Sequence, residues 1–190
     1  DDAIGEAFDK TAKLIGLSYP GGREIEQQAL KGDENKFVLP KPLIKEKNFN
    51  FSFSGIKTHI NLLTKKNIID KIFIEDLSAS FQKNITEILI EKLERGLKRL
   101  SSENKNIRSI SVVGGVSNNK YIRSKLENFF VEKNIEIYYP IKEMMGDNAA
   151  MIAWACMKFY KRERNDLFFK PMPRLGAVSY THLTLPTKPF

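Results

Sequence analysis

The sequence predicts one lobe of an α/β protein, and three features carry that prediction. Ser109 to Val113 reads as a buried strand, Gly114-Gly115 as a tight turn, Asn119 to Val131 as a helix and Glu136 to Tyr139 as the next strand. Such a βαβ unit implies a parallel pair of strands joined by a right-handed crossover. From about Glu75 to Leu100, the residues Leu77, Phe81, Ile85, Ile88, Leu89, Leu93, Leu97 and Leu100 fall on one helical face. Apolar residues make up 42% of the 190 and charged residues 28%, enough to bury a core and too apolar for disorder.

The remaining elements follow in chain order. Ala3, Ile4, Ala7, Phe8, Ala12 and Ile15 recur at helical spacing, with Asp1 or Asp2 as the candidate cap and Gly16 where a C-terminal glycine belongs. Tyr19-Pro20-Gly21-Gly22 reads as a turn in which Gly21 supplies a positive φ. A short helix is expected from Arg23 to Lys31, stopping at Gly32. Phe49 to Ser54 alternates strictly and predicts a strand. A last helix is expected from about Asn148 to Tyr160. There is no internal repeat and no low-complexity linker.

Both ends are unusual. The chain opens on Asp1-Asp2 directly before a helical pattern, so a segment is expected upstream. From Ala177 to Phe190 there is no acidic residue and no amphipathic register, and the stretch reads as translated adapter sequence. We therefore expect a domain over residues 1–175 and a non-native tail over 176–190, with His182 in the tail.

Composition narrows the function. The single cysteine, Cys156, excludes an internal disulfide and a multi-cysteine zinc or iron–sulfur site. No apolar run reaches the roughly 18 to 20 residues needed to cross a bilayer. No basic stretch opens the chain as in a signal peptide, so a soluble cytoplasmic protein without membrane association is expected. Thirty-one Lys and Arg against 23 Asp and Glu give a net charge of +8, which suits a polyanionic partner. Lys57, Lys65 and Lys66 beside Phe49, Phe51 and Phe53 are the better nucleic-acid candidates. Lys92, Arg95, Lys98, Arg99, Lys105 and Arg108 are interleaved with Glu91, Glu94 and Glu103 and read as a mixed solvated face.

Several positions carry possible chemistry. The run Val112-Val113-Gly114-Gly115-Val116-Ser117-Asn118-Asn119 is either an ordinary βα turn or an anion site, where glycines admit a ligand and amides at the helix start attract phosphate. Asn119 offers a donor and an acceptor for a sugar hydroxyl or base edge. Asp9 borders the apolar face of the first helix and is otherwise a solvated acid. Asp147 suits a helix cap or, with partners, a hard oxygen ligand to a metal. His59 has no second histidine at ligand spacing and reads as a surface residue. Cys156 reads as core.

Taken in order, these motifs are more specific. Residues 1–22, with Gly5-Glu6-Ala7-Phe8-Asp9 and Tyr19-Pro20-Gly21-Gly22, resemble the tRNA N6-adenosine threonylcarbamoyltransferase family, TsaD in bacteria. Phe51-Ser52-Phe53-Ser54-Gly55-Ile56-Lys57-Thr58, Ala79-Ser80-Phe81-Gln82, Val113 to Asn119 and Asp147 to Ala153 match the same family in the same order. The resemblance covers residues 1 to about 175, roughly the C-terminal half of such a protein.

That resemblance implies the C-terminal part of a two-lobed, actin-like and sugar-kinase-like (ASKHA) ATPase fold. It implies transfer of a threonylcarbamoyl group from threonylcarbamoyl-AMP to the N6 amine of the adenosine beside the tRNA anticodon. It further implies that Asp9, Gly22 and Asn119 bind the adenylate, a ligand related to ATP, and that Asp147 ligates one divalent metal ion, iron or zinc. The implied partners are tRNA and other subunits of the threonylcarbamoyladenosine-forming complex. The family's His-x-x-x-His metal pair is absent from this chain, so the fragment alone is expected to be inactive. Asn118, Gly146 and Ala149 depart from the family's usual Ala, Thr and Gly. The alternatives are another actin-like ATPase or kinase lobe, or a nucleotide-binding paralogue without catalysis.

Overall fold

The computed structural model describes residues 2–159. They fall into two compact units, the first ending at Asn148 and the second beginning at Ala149. The expectations for residues 160–190, including the domain limit at 175, the adapter-like tail and His182, lie outside the described residues.

Helix α1 spans Ile4–Leu14. Its N-cap is Ala3, without a side-chain cap, because Asp2 is drawn instead to Lys10 at 2.8 Å. Gly16 adopts φ +78°, as a terminating glycine should. Helix α2 spans Gly21–Ala29 and so begins two residues before the expected start. Gly21 is its first residue rather than a positive-φ turn position, and the reason is proximity. A Cβ there would lie 2.4 Å from Ala12 Cβ and 2.9 Å from Asp9 Cα, so only glycine lets α2 pack onto α1. Gly32, beyond the end of α2, sits against the backbone of the next long helix.

The strand expected at Phe49 to Ser54 does not form. Residues 49–53 pair with no strand among the described residues, Phe53 takes φ −121° and ψ −13°, outside the extended range, and Ser54 opens helix α3, Ser54–Lys66. Phe53 is nonetheless buried, while Phe49 and Phe51 on the same alternation are exposed. Helix α3 was hidden from the pattern; Ile56 and Ile60 are its fully buried side.

Helix α4, Lys71–Ser102, is the spine of the first unit. Asp70 caps it by accepting from the Phe73 amide at 2.8 Å, which moves its start ahead of the expected Glu75. Leu77, Phe81, Ile85 and Ile88 are fully buried along it. The core joins them to Phe8 and Ala12 of α1, its C-cap Ile15, Ile25 of α2 and the buried face of α3. Phe8 and Phe81 meet edge to face, with ring centroids 4.9 Å apart.

Residues 33–50 cross this surface without regular structure, and α4 supplies their anchors. Asp76 accepts from the Asp33 amide at 2.8 Å, and Asn84 Nδ2 donates to Pro40 O at 3.0 Å. Lys92 Nζ donates to Leu43 O at 2.8 Å and Asn48 O at 3.0 Å. Arg95 donates to the carbonyls of Ile44 and Glu46. Lys92 is only 3% exposed, which corrects its assignment to a solvated face; burial and the neighbouring Arg95 push its ammonium down. The rest of that face is mixed as expected, with Arg95–Glu91, Lys98–Glu94 and Arg99–Glu103 pairs.

The βαβ unit is present. Strands β1, Ser109–Ser111, and β2, Glu136–Tyr138, are parallel, with Ile110 opposite Ile137. They are shorter than expected and half-buried. Ile110 and Ile137 pack against the core, while Ser109, Ser111, Glu136 and Tyr138 are exposed. Between them, helix α5, Lys120–Val131, buries Ile122, Leu126 and Phe130.

The second unit is described by helix α6, Ala149–Phe159. Every side chain from Ala149 to Lys158 is exposed, so Cys156 is not in a core as expected.

One stability prediction concerns Gly32, where the turn after α2 meets α4. A Cβ on Gly32 would stand 2.0 Å from Glu75 O and 2.2 Å from Glu75 C, atoms of a helix backbone that cannot rotate away. Gly32→Ala is expected to cost roughly 1 to 3 kcal/mol, read as a lower urea midpoint at unchanged slope. A midpoint within error of wild type would mean that this contact yields freely.

Candidate functional site

A cleft of about 1530 Å³ opens in the first unit, between α1, α2, the middle of α4 and the turn that leads from β1 into α5. Typical small-molecule sites occupy about 300 to 1,000 Å³, so there is room for a nucleotide-sized ligand and more. Asp9, Gly22 and Asn119 all line it. Asp147 does not.

Each lining residue is positioned by the local fold. Asp9 sits on α1, and its Oδ1 accepts from the Gly21 amide at 2.7 Å. One carboxylate oxygen thus ties the two helices together at the cleft edge. Gly22 follows on α2, and nothing lies within 4 Å of where its Cβ would be, so the missing side chain is open cleft wall.

Across the cleft, Gly114 takes φ +95°, a conformation glycine adopts without steric cost. A 3₁₀ turn over Gly115–Asn118 follows. Ser117 turns inward, its hydroxyl donating to Gly114 O at 2.7 Å. Asn119 is the N-cap of α5 and is 7% exposed. Its Oδ1 accepts from the Ile122 amide at 3.0 Å, and its Nδ2 donates to Gln82 Oε1 at 2.7 Å.

Of the two readings left open for this helix start, an ordinary turn or an anion site, the second is limited by the protein's own groups. The Lys120 amide donates to Glu26 Oε1 at 2.6 Å, the Asn119 amide to Val116 O and the Ile122 amide to Asn119. Three amides are thereby committed. Positive charge in the cleft comes instead from Arg23, Lys120, Arg123 and Lys142, against the carboxylates of Asp9 and Glu26. Arg123 stacks over Tyr139, its guanidinium carbon 4.1 Å from the ring centroid, and Nε donates to Ser117 O at 3.3 Å. Tyr121 donates to Glu34 Oε2 at 2.8 Å; burial and then that carboxylate hold its hydroxyl well above the usual range, so it stays a neutral donor.

Asp147 is exposed and stands two residues before the first residue of α6, rather than at the adjoining cap position. Among the described residues, no three His, Cys, Asp or Glu side chains gather as a metal group. Asp147 by itself offers a single exposed carboxylate, so a metal held there would need its other ligands from elsewhere.

Glu26, Gln82 and Arg123 line the cleft without having been expected there from the sequence. Gln82 had a signal only in closing the family-matching Ala79-Ser80-Phe81-Gln82, since Ser78, Ser80, Asn84 and Thr86 are polar and buried on the same stretch. Glu26 had none, because its partner amide lies 94 residues away.

Fold and cleft together define an α/β protein with a small parallel sheet and a nucleotide-sized cleft walled by two glycine-bearing elements. The family model for TsaD, tRNA N6-adenosine threonylcarbamoyltransferase, matches residues 1–154, and the chain belongs to that family. Curated proteins of that name are similar to it. The one from Thermosipho africanus is 46% identical over 162 residues, covering 85% of this chain and 48% of its own. That from Pelagibacter ubique is 45% identical, covering 92% and 49%, and that from Neorickettsia sennetsu is 41% identical, covering 92% and 52%. The chain thus spans about half the length of the curated relatives it matches.

Proposed function

We propose that this chain supplies the adenylate-binding part of an acyltransferase that moves a threonylcarbamoyl group from threonylcarbamoyl-AMP to the N6 amine of adenosine in tRNA, beside the anticodon. The observation that carries the proposal is the convergence of Asp9, Gly22 and Asn119, from elements up to 110 residues apart, on one cleft. A finer proposal for the fold, that the βαβ unit and α4 belong to an actin-like, sugar-kinase-like lobe, rests on family membership.

The chemistry suits such a site. Acyl transfer from a mixed anhydride already has a good leaving group in AMP, so the protein must chiefly hold the adenylate and orient the amine. Asp9 has a second carboxylate oxygen to accept from a ribose hydroxyl, and Gly22 leaves the wall open for the sugar or base. Arg23, Lys120, Arg123 and Lys142 give the cleft mouth the charge to receive phosphate, from the adenylate or from tRNA. Such a protein would work with tRNA and with other subunits of the modification complex, in the cytoplasm. No helix of the described residues is long and apolar enough to cross a membrane.

The test is AMP binding to the full-length protein. Asn119→Ala is expected to weaken it by roughly 1 to 3 kcal/mol. Unchanged affinity in a folded variant would remove Asn119 from the site.

A further inference from the structure

Asn119 meets a partner 37 residues away, Gln82 in the middle of α4, and both side chains line the cleft while remaining almost wholly buried. A terminal amide turns easily between two orientations that exchange its donor and acceptor ends. What a ligand encounters at such a residue is therefore decided by its neighbours. The Ile122 amide claims the oxygen end of Asn119 at 3.0 Å, and Gln82 Oε1 claims the nitrogen end at 2.7 Å. Turning Asn119 over would set donor against donor and acceptor against acceptor in a place with little water, a costly exchange. An Asn amide has two N–H donors and two acceptor lone pairs. One of each is spent on these contacts, leaving one of each for the cleft.

We infer that Gln82 is a positioning residue, which holds the Asn119 amide in one orientation and thereby sets the polar groups the cleft shows to a nucleotide. The inference rests on the adenylate site proposed above. A side chain on α4 that merely filled space would not need a carbonyl oxygen at this point; one that positions Asn119 does.

A double-mutant cycle in the full-length protein separates the two roles, with AMP as the probe and calorimetry as the readout. Gln82→Met keeps length and apolar packing but removes the acceptor. It is expected to raise the AMP Kd about 3- to 10-fold in the wild-type background. In the Asn119→Ala background the same change is expected to alter Kd less than about 2-fold, since nothing is left to position. A wild-type Kd for Gln82→Met, or the same penalty in both backgrounds, overturns the inference while leaving the site intact. Failure of the wild-type protein to bind AMP overturns the site and the inference together. Should Gln82→Met not fold, Gln82→Glu retains an oxygen facing Asn119, and Asn119→Ala is expected to cost as much in that background as in wild type. Loss of that dependence also overturns the role.

Discussion

Phe81→Ala is expected to lower the unfolding free energy by about 3 to 5 kcal/mol, the range for emptying a phenylalanine site in a sealed core. Phe81 is fully buried and Phe8 nearly so, and their edge-to-face contact joins α1 to α4 at the centre of the first unit. Little can move in to fill the space, because Leu77, Ile85 and Ile88 are themselves fully buried on the same helix. Phe81→Leu keeps most of the volume and is expected to cost less than about 1.5 kcal/mol. Urea unfolding of the three proteins checks both figures. A loss under about 1 kcal/mol for the alanine variant would mean that α1 and α4 are not packed as described.

The same pair ties the core to the cleft. Asp9 follows Phe8 on α1, and Gln82 follows Phe81 on α4, so the two walls are held by the two rings next to their polar residues. A cavity beneath them would loosen both walls at once. We therefore expect Phe81→Leu to weaken AMP binding more than its small stability loss alone suggests.

How much of this was legible beforehand differs by element, and the differences have physical causes. Helix α4 was visible because a long apolar stripe at helical spacing has no competing explanation, although its capped first turn was missed for want of buried residues before Phe73. The βαβ unit was visible because strand, glycines and helix follow one another locally. Helix α3 was not, since the alternating phenylalanines before it mimic a strand and its buried face is only Ile56 and Ile60. Gly21 and Gly22 were misplaced for a different reason. Glycine is a poor helix former, and only the approach of Ala12 shows why a helix begins there. For the cleft, the family resemblance implied Asp9, Gly22 and Asn119, whereas the residues read alone favoured a solvated acid and ordinary turns, and the contacts of Asn119 with Gln82 and of Lys120 with Glu26 are tertiary and left no periodic trace.

Asp9→Ala is expected to weaken AMP binding about 10- to 100-fold, the scale of a hydrogen bond to a charged group. Two effects combine in that figure. The variant loses the acceptor proposed for a ribose hydroxyl, and it strands the Gly21 amide that Asp9 Oδ1 accepts at 2.7 Å, which loosens α2 beside Gly22. Asp9→Asn separates them. Its oxygen can still accept from Gly21, so α2 stays in place, but the second carboxylate oxygen becomes an NH₂ that cannot accept. If Asp9 serves only the α1–α2 junction, Asp9→Asn binds AMP like wild type and only Asp9→Ala is weakened. If Asp9 also holds the ligand, both variants are weakened, and Asp9→Asn does so with little change in urea midpoint. Wild-type affinity in both would take Asp9 out of the site and leave Gly22 without the neighbour that makes its open wall useful to a sugar.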